Sequence, residues 1–369
     1  MAGSSFGRIL NVTTWGESHG PAVGAVLDGF PAGMELCEQD IQKFLDRRRP
    51  GRSSISTPRK EDDKVEILSG IFDGKTTGTP ISLLIRNTSA HSSDYDDLKE
   101  CFRPGHADFG FYEKYGIRDY RGGGRSSGRE TAARVAAGAI AQKFLGIMGV
   151  DIVAYTRSIG PIKIDRACFD RQLIYTTQTA MPDANADKQA VEFISKCMAE
   201  KDSTGGSIEC VIKGLPAGIG DPVFDKLDAR LAMALMSIGA VKDVSIGDGS
   251  LVETAKGSVN NDPFMINEDG VVTTKTNHCG GILGGISDGN DIVIGCSIKP
   301  TPSIFQEQDT VDENRQKRKL TIKGRHDPVI VPRAVVVVEC MSALTVLDSM
   351  MTGMSAKSEN IVRFYKKTL

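Results

Sequence analysis

Apolar residues recur at helical spacing after residue 130, with Ala133, Ala136, Ala137, Ile140, Phe144 and Met148 on one face and Gly146 and Gly149 as the stop. Ser127 and Glu130 stand three apart just before this pattern, the spacing at which each side chain can bond the other's backbone N–H. The helix is therefore predicted to begin at or near Ser127. A face made largely of alanine implies close burial. Helical patterns are also read over residues 37–49, with Ile41, Phe44 and Leu45 inward, and over 188–201 and 223–237. Apolar runs bounded by turn residues predict strands at 9–13, 23–27, 65–72, 79–86, 151–156, 207–213 and 291–298, with a further strand after the exit at 238–244. The run 329–347 is interrupted by Pro332, Arg333 and Glu339, so it reads as a buried strand at 335–338 and then a helix over 341–350, not a membrane span. The helix-glycine-strand order of 130–156 returns at 223–244 and hints at internal duplication.

Between these elements lie the polar stretches. Residues 87–126 keep no hydrophobic period, yet hold His91, the run Arg103-Pro104-Gly105-His106-Ala107-Asp108, several tyrosines and Arg118. A loop this long in a compact fold suggests function, and its aromatics predict order. Residues 306–322 alternate charge and predict a solvated hairpin, while 170–181 reads as an irregular connection.

The chain has 369 residues, with 45 basic against 47 acidic side chains, so no whole-chain field draws in nucleic acid or a membrane surface. Any basic site must be local. Forty glycines with six per cent aromatics suit a compact enzyme with many tight turns. The eight cysteines include no Cys-x-x-Cys pair, so neither a zinc site nor a redox motif is indicated, and most are expected to be buried thiols. The first residues lack the apolar core of a signal peptide, and a soluble, cytoplasmic protein is expected.

The candidate chemistry centres on Arg121-Gly122-Gly123-Gly124-Arg125-Ser126-Ser127-Gly128-Arg129-Glu130. A glycine loop opening a helix offers free backbone donors to an anion, and Arg125 and Arg129 add fixed positive charge. No Gly-Lys-Ser/Thr closes the loop and no hydrophobic strand leads into it, which excludes a Walker A motif and a dinucleotide fingerprint. Repeated Arg-Gly-Gly segments bind RNA, but a single copy leading into an ordered helix does not fit that class. Further candidates are His19, in Trp15-Gly16-Glu17-Ser18-His19-Gly20 between two strands, the arginines Arg47, Arg48, Arg49 and Arg52 at a helix end, a second glycine cradle at 277–287, and the rigid loop Lys299-Pro300-Thr301-Pro302-Ser303. Arg325, His326 and Asp327 lie on a turn before the core run.

Taken together, Gly16-Glu17-Ser18-His19-Gly20, Gly124-Arg125-Ser126-Ser127-Gly128-Arg129-Glu130-Thr131 and Arg325-His326-Asp327-Pro328 with Glu339 downstream resemble chorismate synthase, and the stretches at 103–108 and 277–287 fit it too. The resemblance runs from about residue 7 to 350. It implies a lyase of the shikimate pathway that eliminates phosphate in an anti-1,4 sense from 5-enolpyruvylshikimate-3-phosphate, using reduced FMN without net oxidation. It also implies an α+β fold, a β-α-β sandwich with central helices packed between antiparallel sheets, as one domain over 1–369 in a homotetramer. By the same carry-over His19 is the acid near the departing phosphate, His106 the proton donor to the flavin, and Asp327 the carboxylate that helps move the proton accepted by the flavin N5. FMN contacts fall on Arg125, Ser126, Ser127, Gly239, Ala240, Gly284, Lys299, Pro300, Thr301, Pro302, Ser303 and Arg325. Arg48, Arg129 and Arg134 are left for the substrate, whose two carboxylates and phosphate need concentrated positive charge.

One departure bears on the cofactor. Some members of that family carry an arginine where this chain has Ser54, linked with Arg48 to pyridine nucleotide binding. Reduced FMN is therefore expected from an external flavin reductase, with NADPH acting only indirectly. A second reading of the same residues, a non-catalytic FMN or phosphate binder, has no need of His19 and His106.

Overall fold

The alanine-rich segment forms the helix Thr131–Ile147, and its small side chains let it run through the middle of the molecule, where eleven of its residues are buried. In this computed structural model, which describes residues 3–51, 55, 61–88, 99–322 and 326–366, that helix packs across a second long one, Val331–Gly353. A Cβ at Gly138 would collide with the Cβ of Cys340 and stand 2.6 Å from its carbonyl oxygen, so the crossing depends on glycine there.

Two five-stranded antiparallel sheets cover this helical centre. The first runs in the order Ser5–Phe6, Asn11–Gly16, Ala22–Asp28, Ile81–Arg86, Val65–Ile67, and the helices Thr131–Ile147 and Glu38–Arg48 pack on it. The second runs Val241–Ile246, Ile292–Ile298, Gly206–Lys213, Asp151–Ile159, Ile162–Lys163, and meets Val331–Gly353 and Leu227–Met236. The arrangement is mixed α+β, antiparallel sheets with helices packed on them, and one large core cluster draws on both sheets and the helices. The two segments whose order repeats, 130–156 and 223–244, both feed strands of the second sheet.

Several expectations need correction. Residues 335–338 are not a strand: Val331–Gly353 is one helix, with Pro332 in its first turn, where the missing N–H costs nothing. A segment buried on all sides shows no period, and packing overrode the β preference of its valines. This helix is apolar enough to cross a membrane, but 89% of its most apolar window is buried inside the protein. The strand expected over 65–72 is two short pieces, Val65–Ile67 and Ile71–Phe72, because Gly70 between them holds a φ of +84°, a left-handed conformation that breaks an extended run. Within the expected loop 87–126 lies a two-turn helix, Asp108–Tyr115, too short and too evenly aromatic to show a period. The expected helix over 223–237 is shorter, Leu227–Met236, after a 3-10 turn at Val223–Asp225. Only four of the eight cysteines, Cys197, Cys210, Cys296 and Cys340, are buried.

Candidate active site

The glycine loop enters its helix through two successive 3-10 turns, Gly124–Ser126 and Gly128–Glu130, before Thr131–Ile147 begins. The reciprocal cap expected between Ser127 and Glu130 does not form. Ser127 Oγ accepts from the N–H of Arg129 at 3.3 Å, and Glu130 instead takes Arg134 Nε at 2.9 Å, because a charged partner one turn ahead outcompetes a backbone donor.

Gly122 and Gly123 hold φ of +71° and +97°, and each carries an imidazole where a side chain would stand. A Cβ on Gly122 would collide with Cε1 of His19, and one on Gly123 would lie 2.7 Å from Cε1 of His106. His19 comes from the turn between Asn11–Gly16 and Ala22–Asp28, and its Nδ1 is 3.2 Å from Ser18 Oγ. His106 precedes the helix Asp108–Tyr115, and its Nδ1 is 3.1 Å from both Arg103 Nη2 and Asp108 Oδ1. Asp108 is held well below the usual carboxylate range: burial opposes its charge, and hydrogen bonds from Arg103 and His106 outweigh burial.

Beside this loop opens a cavity of about 660 Å³. Its walls bring together His106, Asp327, the three arginines Arg48, Arg129 and Arg134, and Arg125, Ser126, Ser127, Gly239, Ala240, Lys299, Thr301, Pro302 and Ser303. His19, Gly284 and Pro300 are not part of the lining, although His19 sits against Gly122, which is. Gly284 turns the hairpin Ile282–Leu283 to Ile286–Ser287, which leaves the second glycine cradle outside the cavity wall. Arg325, Ser54, His91 and Arg52 lie outside the described residues.

The three arginines differ from surface cations. Arg48 is buried and spans three elements, donating to Thr131 Oγ1 at 3.0 Å, Asp63 Oδ2 at 2.9 Å and the carbonyl of Gly128 at 2.6 Å. Burial, aided by the nearby cations Arg333 and Arg129, pushes it down to about 10 against the pull of Asp63. Arg129 also pairs with Asp63, lies 3.1 Å from Glu61 Oε2 and donates to Asn87 Oδ1 at 2.8 Å. Arg134 reaches Ser237 Oγ at 2.6 Å. Arg125 donates only to Thr14 and to the carbonyl of Gly16, and among the described residues no carboxylate pairs with it.

Three cations in the wall had no role in the sequence reading. Arg333 pairs with Asp327 and donates to the carbonyl of Arg48 at 3.0 Å; Arg103 braces Asp108; Lys242 adjoins Lys299, whose own pKa is lowered by burial and then by Lys242. A signal existed for two of them, since Arg103 opens the run that contains His106 and Arg333 follows Asp327 by six residues. In all, eight Arg and Lys side chains line the cavity against Glu61, Glu130 and Asp327, so the wall favours an anion.

The comparisons decide the family. The chorismate synthase family model matches residues 10–351. The chain belongs to the chorismate synthase family. Chorismate synthase of Agathobacter rectalis is 57% identical over the full length of both chains, that of Lachnoclostridium phytofermentans 56% over the same extent, and that of Methanococcoides burtonii 53% over 95% of this chain and 96% of its own. A crystal structure of chorismate synthase, 30% identical, superposes with a TM-score of 0.76 over 98% of each chain.

Proposed function

We infer that this chain converts 5-enolpyruvylshikimate-3-phosphate to chorismate in the shikimate pathway, the activity of the family to which it belongs. The observation that carries the site-level account is the cationic cavity, whose size lies in the roughly 300–1,000 Å³ range of small-ligand sites. A substrate with two carboxylates and a phosphate matches a wall of eight basic and three acidic side chains.

The donor set fits FMN. The buried hydroxyl oxygen of Thr301 has no hydrogen-bond partner among the described residues, the arrangement expected of a group that awaits a ligand oxygen. Arg125 and Lys299 supply charge, Ser126 and Ser127 hydroxyls, and Gly239 and Ala240 backbone beside them. Reduced FMN, when bound, supplies the nitrogen that takes up the proton lost by the substrate, with no net change of oxidation state. The chain's own residues do the rest. Arg48, Arg129 and Arg134 orient the anionic groups, and their desolvated setting strengthens each contact. His19, whose Nδ1 lies beside Ser18 Oγ, protonates the departing phosphate, and His106, in its imidazolium form, carries the transferable proton at Nε2. Asp327 carries a proton between solvent and the cavity, with Arg333 as the cationic partner of its carboxylate form.

The cavity draws residues from positions 48 to 337, which supports a single unit over 1–369. Two sheets, each with its inner pair of helices, support a β-α-β sandwich with duplicated halves. A cytoplasmic homotetramer supplied with reduced FMN by a separate reductase, NADPH acting only there, completes the proposal. The deciding experiment is anaerobic phosphate release from 5-enolpyruvylshikimate-3-phosphate with and without photoreduced FMN. Release only with reduced FMN is expected; release indifferent to the flavin overturns the cofactor role, and no release in either arm overturns the assignment.

A further inference from the structure

We propose that Asp108 is a positioning residue for His106, fixing its imidazole with the proton on Nδ1 so that Nε2 is presented to the loop and cavity. The inference rests on the reading of His106 as a proton-holding group.

Nδ1 of His106 stands between a donor, Arg103 Nη2, and an acceptor, Asp108 Oδ1, each 3.1 Å away, and the tautomer decides which bond forms. Asp108 Oδ2 accepts from Arg103 Nε at 2.7 Å and from the Arg103 backbone N–H at 3.0 Å, while Oδ1 accepts from Arg103 Nη2 at 2.7 Å. His106 Nδ1 lies 3.1 Å from that same Oδ1. Without a proton, Nδ1 can take the second hydrogen of Arg103 Nη2, but its lone pair then also faces the carboxylate oxygen of buried Asp108 at the same distance. With one, it donates to Oδ1, and Nη2 keeps its bond to the same atom. The other nitrogen, Nε2, is on the side of Gly123, 3.2 Å from where a Cβ would stand.

The charges around the ring make the carboxylate matter. The groups that face it are Arg103, 3.1 Å from Nδ1, Asp108, and behind Asp108 the guanidinium of Arg118, 3.8 Å from Oδ2 and itself 3.5 Å from Glu313. Lys299 is fixed nearby by donating to the carbonyl of Gly105 at 2.5 Å. Among the described residues, only Asp108 brings negative charge into contact with the imidazole. An Asn at 108 would do two things at once: its amide can donate to Nδ1, forcing the proton to Nε2 in the neutral ring, and two cations would be left to oppose the imidazolium.

The test begins with unaltered protein carrying ¹⁵N-histidine. Its two-dimensional spectrum should show His106, assigned by loss of its signals in H106Q, protonated at Nδ1 when neutral; a neutral ring protonated at Nε2 overturns the proposal whether or not any variant folds. Asp108→Asn should then lower kcat at neutral pH by about 100-fold and shift the alkaline limb of the rate profile downward by about one pH unit or more, with KM changed little. In the H106Q background the same change should add almost nothing. If H106Q alone keeps full activity, the role of His106 fails; if H106Q is crippled but D108N lowers kcat equally at every pH and adds fully to H106Q, positioning by Asp108 fails.

Discussion

His19 and His106, 87 positions apart in sequence, stand over adjacent glycines, Gly122 and Gly123, whose Cα atoms are about 3.8 Å apart. Two loops from separate parts of the chain therefore meet on a single dipeptide, and the absence of two side chains is what lets them meet.

This relation yields a direct prediction. Gly122→Ala puts a methyl group into the His19 ring, and Gly123→Ala puts one 2.7 Å from Cε1 of His106. Either ring must then shift by about an ångström, a displacement that can cost about 100-fold in rate. The backbone penalty for Ala at positive φ is only about 1 kcal/mol. Each variant should thus fold, with Tm reduced by a few degrees, while kcat falls about 100-fold. Steady-state kinetics beside a thermal melt checks this, and near-normal kcat in a folded Gly122→Ala protein would contradict the arrangement.

How much of this was legible beforehand follows from what each signal encodes. The helix at Glu38–Arg48 announced itself because it buries one face and leaves the other wet, and the helix after the glycine loop because its alanines lie between a glycine-rich start and a glycine stop, although most of its residues are buried. Residues 335–338 lost that signal because all four are buried valines, and the polar residues that follow, Glu339, Ser342, Thr345 and Asp348, are buried as well and mark no wet face. The site divided in the same way. Motif stretches pointed to His19, His106 and Asp327, whereas Asp63, which neutralises both Arg48 and Arg129, was invisible because the partnership joins residues 15 and 66 apart in sequence. Pairing of this kind is a property of the packed fold and leaves no local pattern.

Asp63 carries its own prediction. Its carboxyl lies below the usual carboxylate range, since burial opposes the charge but Arg48 and Arg129 outweigh it. With a folded pKa below the unfolded value of about 3.9, its contribution is complete above that value and is lost as pH falls through the folded one. Asp63→Asn leaves two buried guanidiniums short of their counter-charge and should cost about 3–5 kcal/mol at neutral pH. Urea denaturation of both proteins from pH 7 to pH 3 should show a constant gap down to about pH 4 that narrows below it. A gap that closes between pH 7 and pH 5 would show that the carboxylate is not held in this way.

Stability far from the cavity rests on Asp348. Fully buried in the core helix, it accepts the backbone N–H groups of Arg8 at 2.9 Å, Ile9 at 2.9 Å and Leu10 at 2.8 Å, and pairs with buried Arg230. Asp348→Ala removes the acceptor for all of them and strands a cation, for a loss of about 3–5 kcal/mol. None of these groups lines the cavity, so the urea midpoint should fall while kcat of the folded fraction stays within about twofold of the original. A parallel loss of kcat would mean that the N-terminal segment is coupled to the site.

Thr301 offers a change whose effects on stability and on binding have opposite signs. Its hydroxyl oxygen is buried without a partner among the described residues, so the free protein gains nothing from it. An unmade bond at a buried polar atom costs about 1–3 kcal/mol, whereas a made one contributes about 0.5–1.5 kcal/mol net. Thr301→Val keeps the shape and removes the orphan, so thermal stability without ligand should stay level or rise. If the hydroxyl serves FMN, the same variant should bind it about 2- to 10-fold more weakly, read by fluorescence titration with oxidised FMN. Unchanged FMN affinity in a Thr301→Val protein of undiminished Tm would remove this hydroxyl from the cofactor site and leave its burial to be explained by substrate alone.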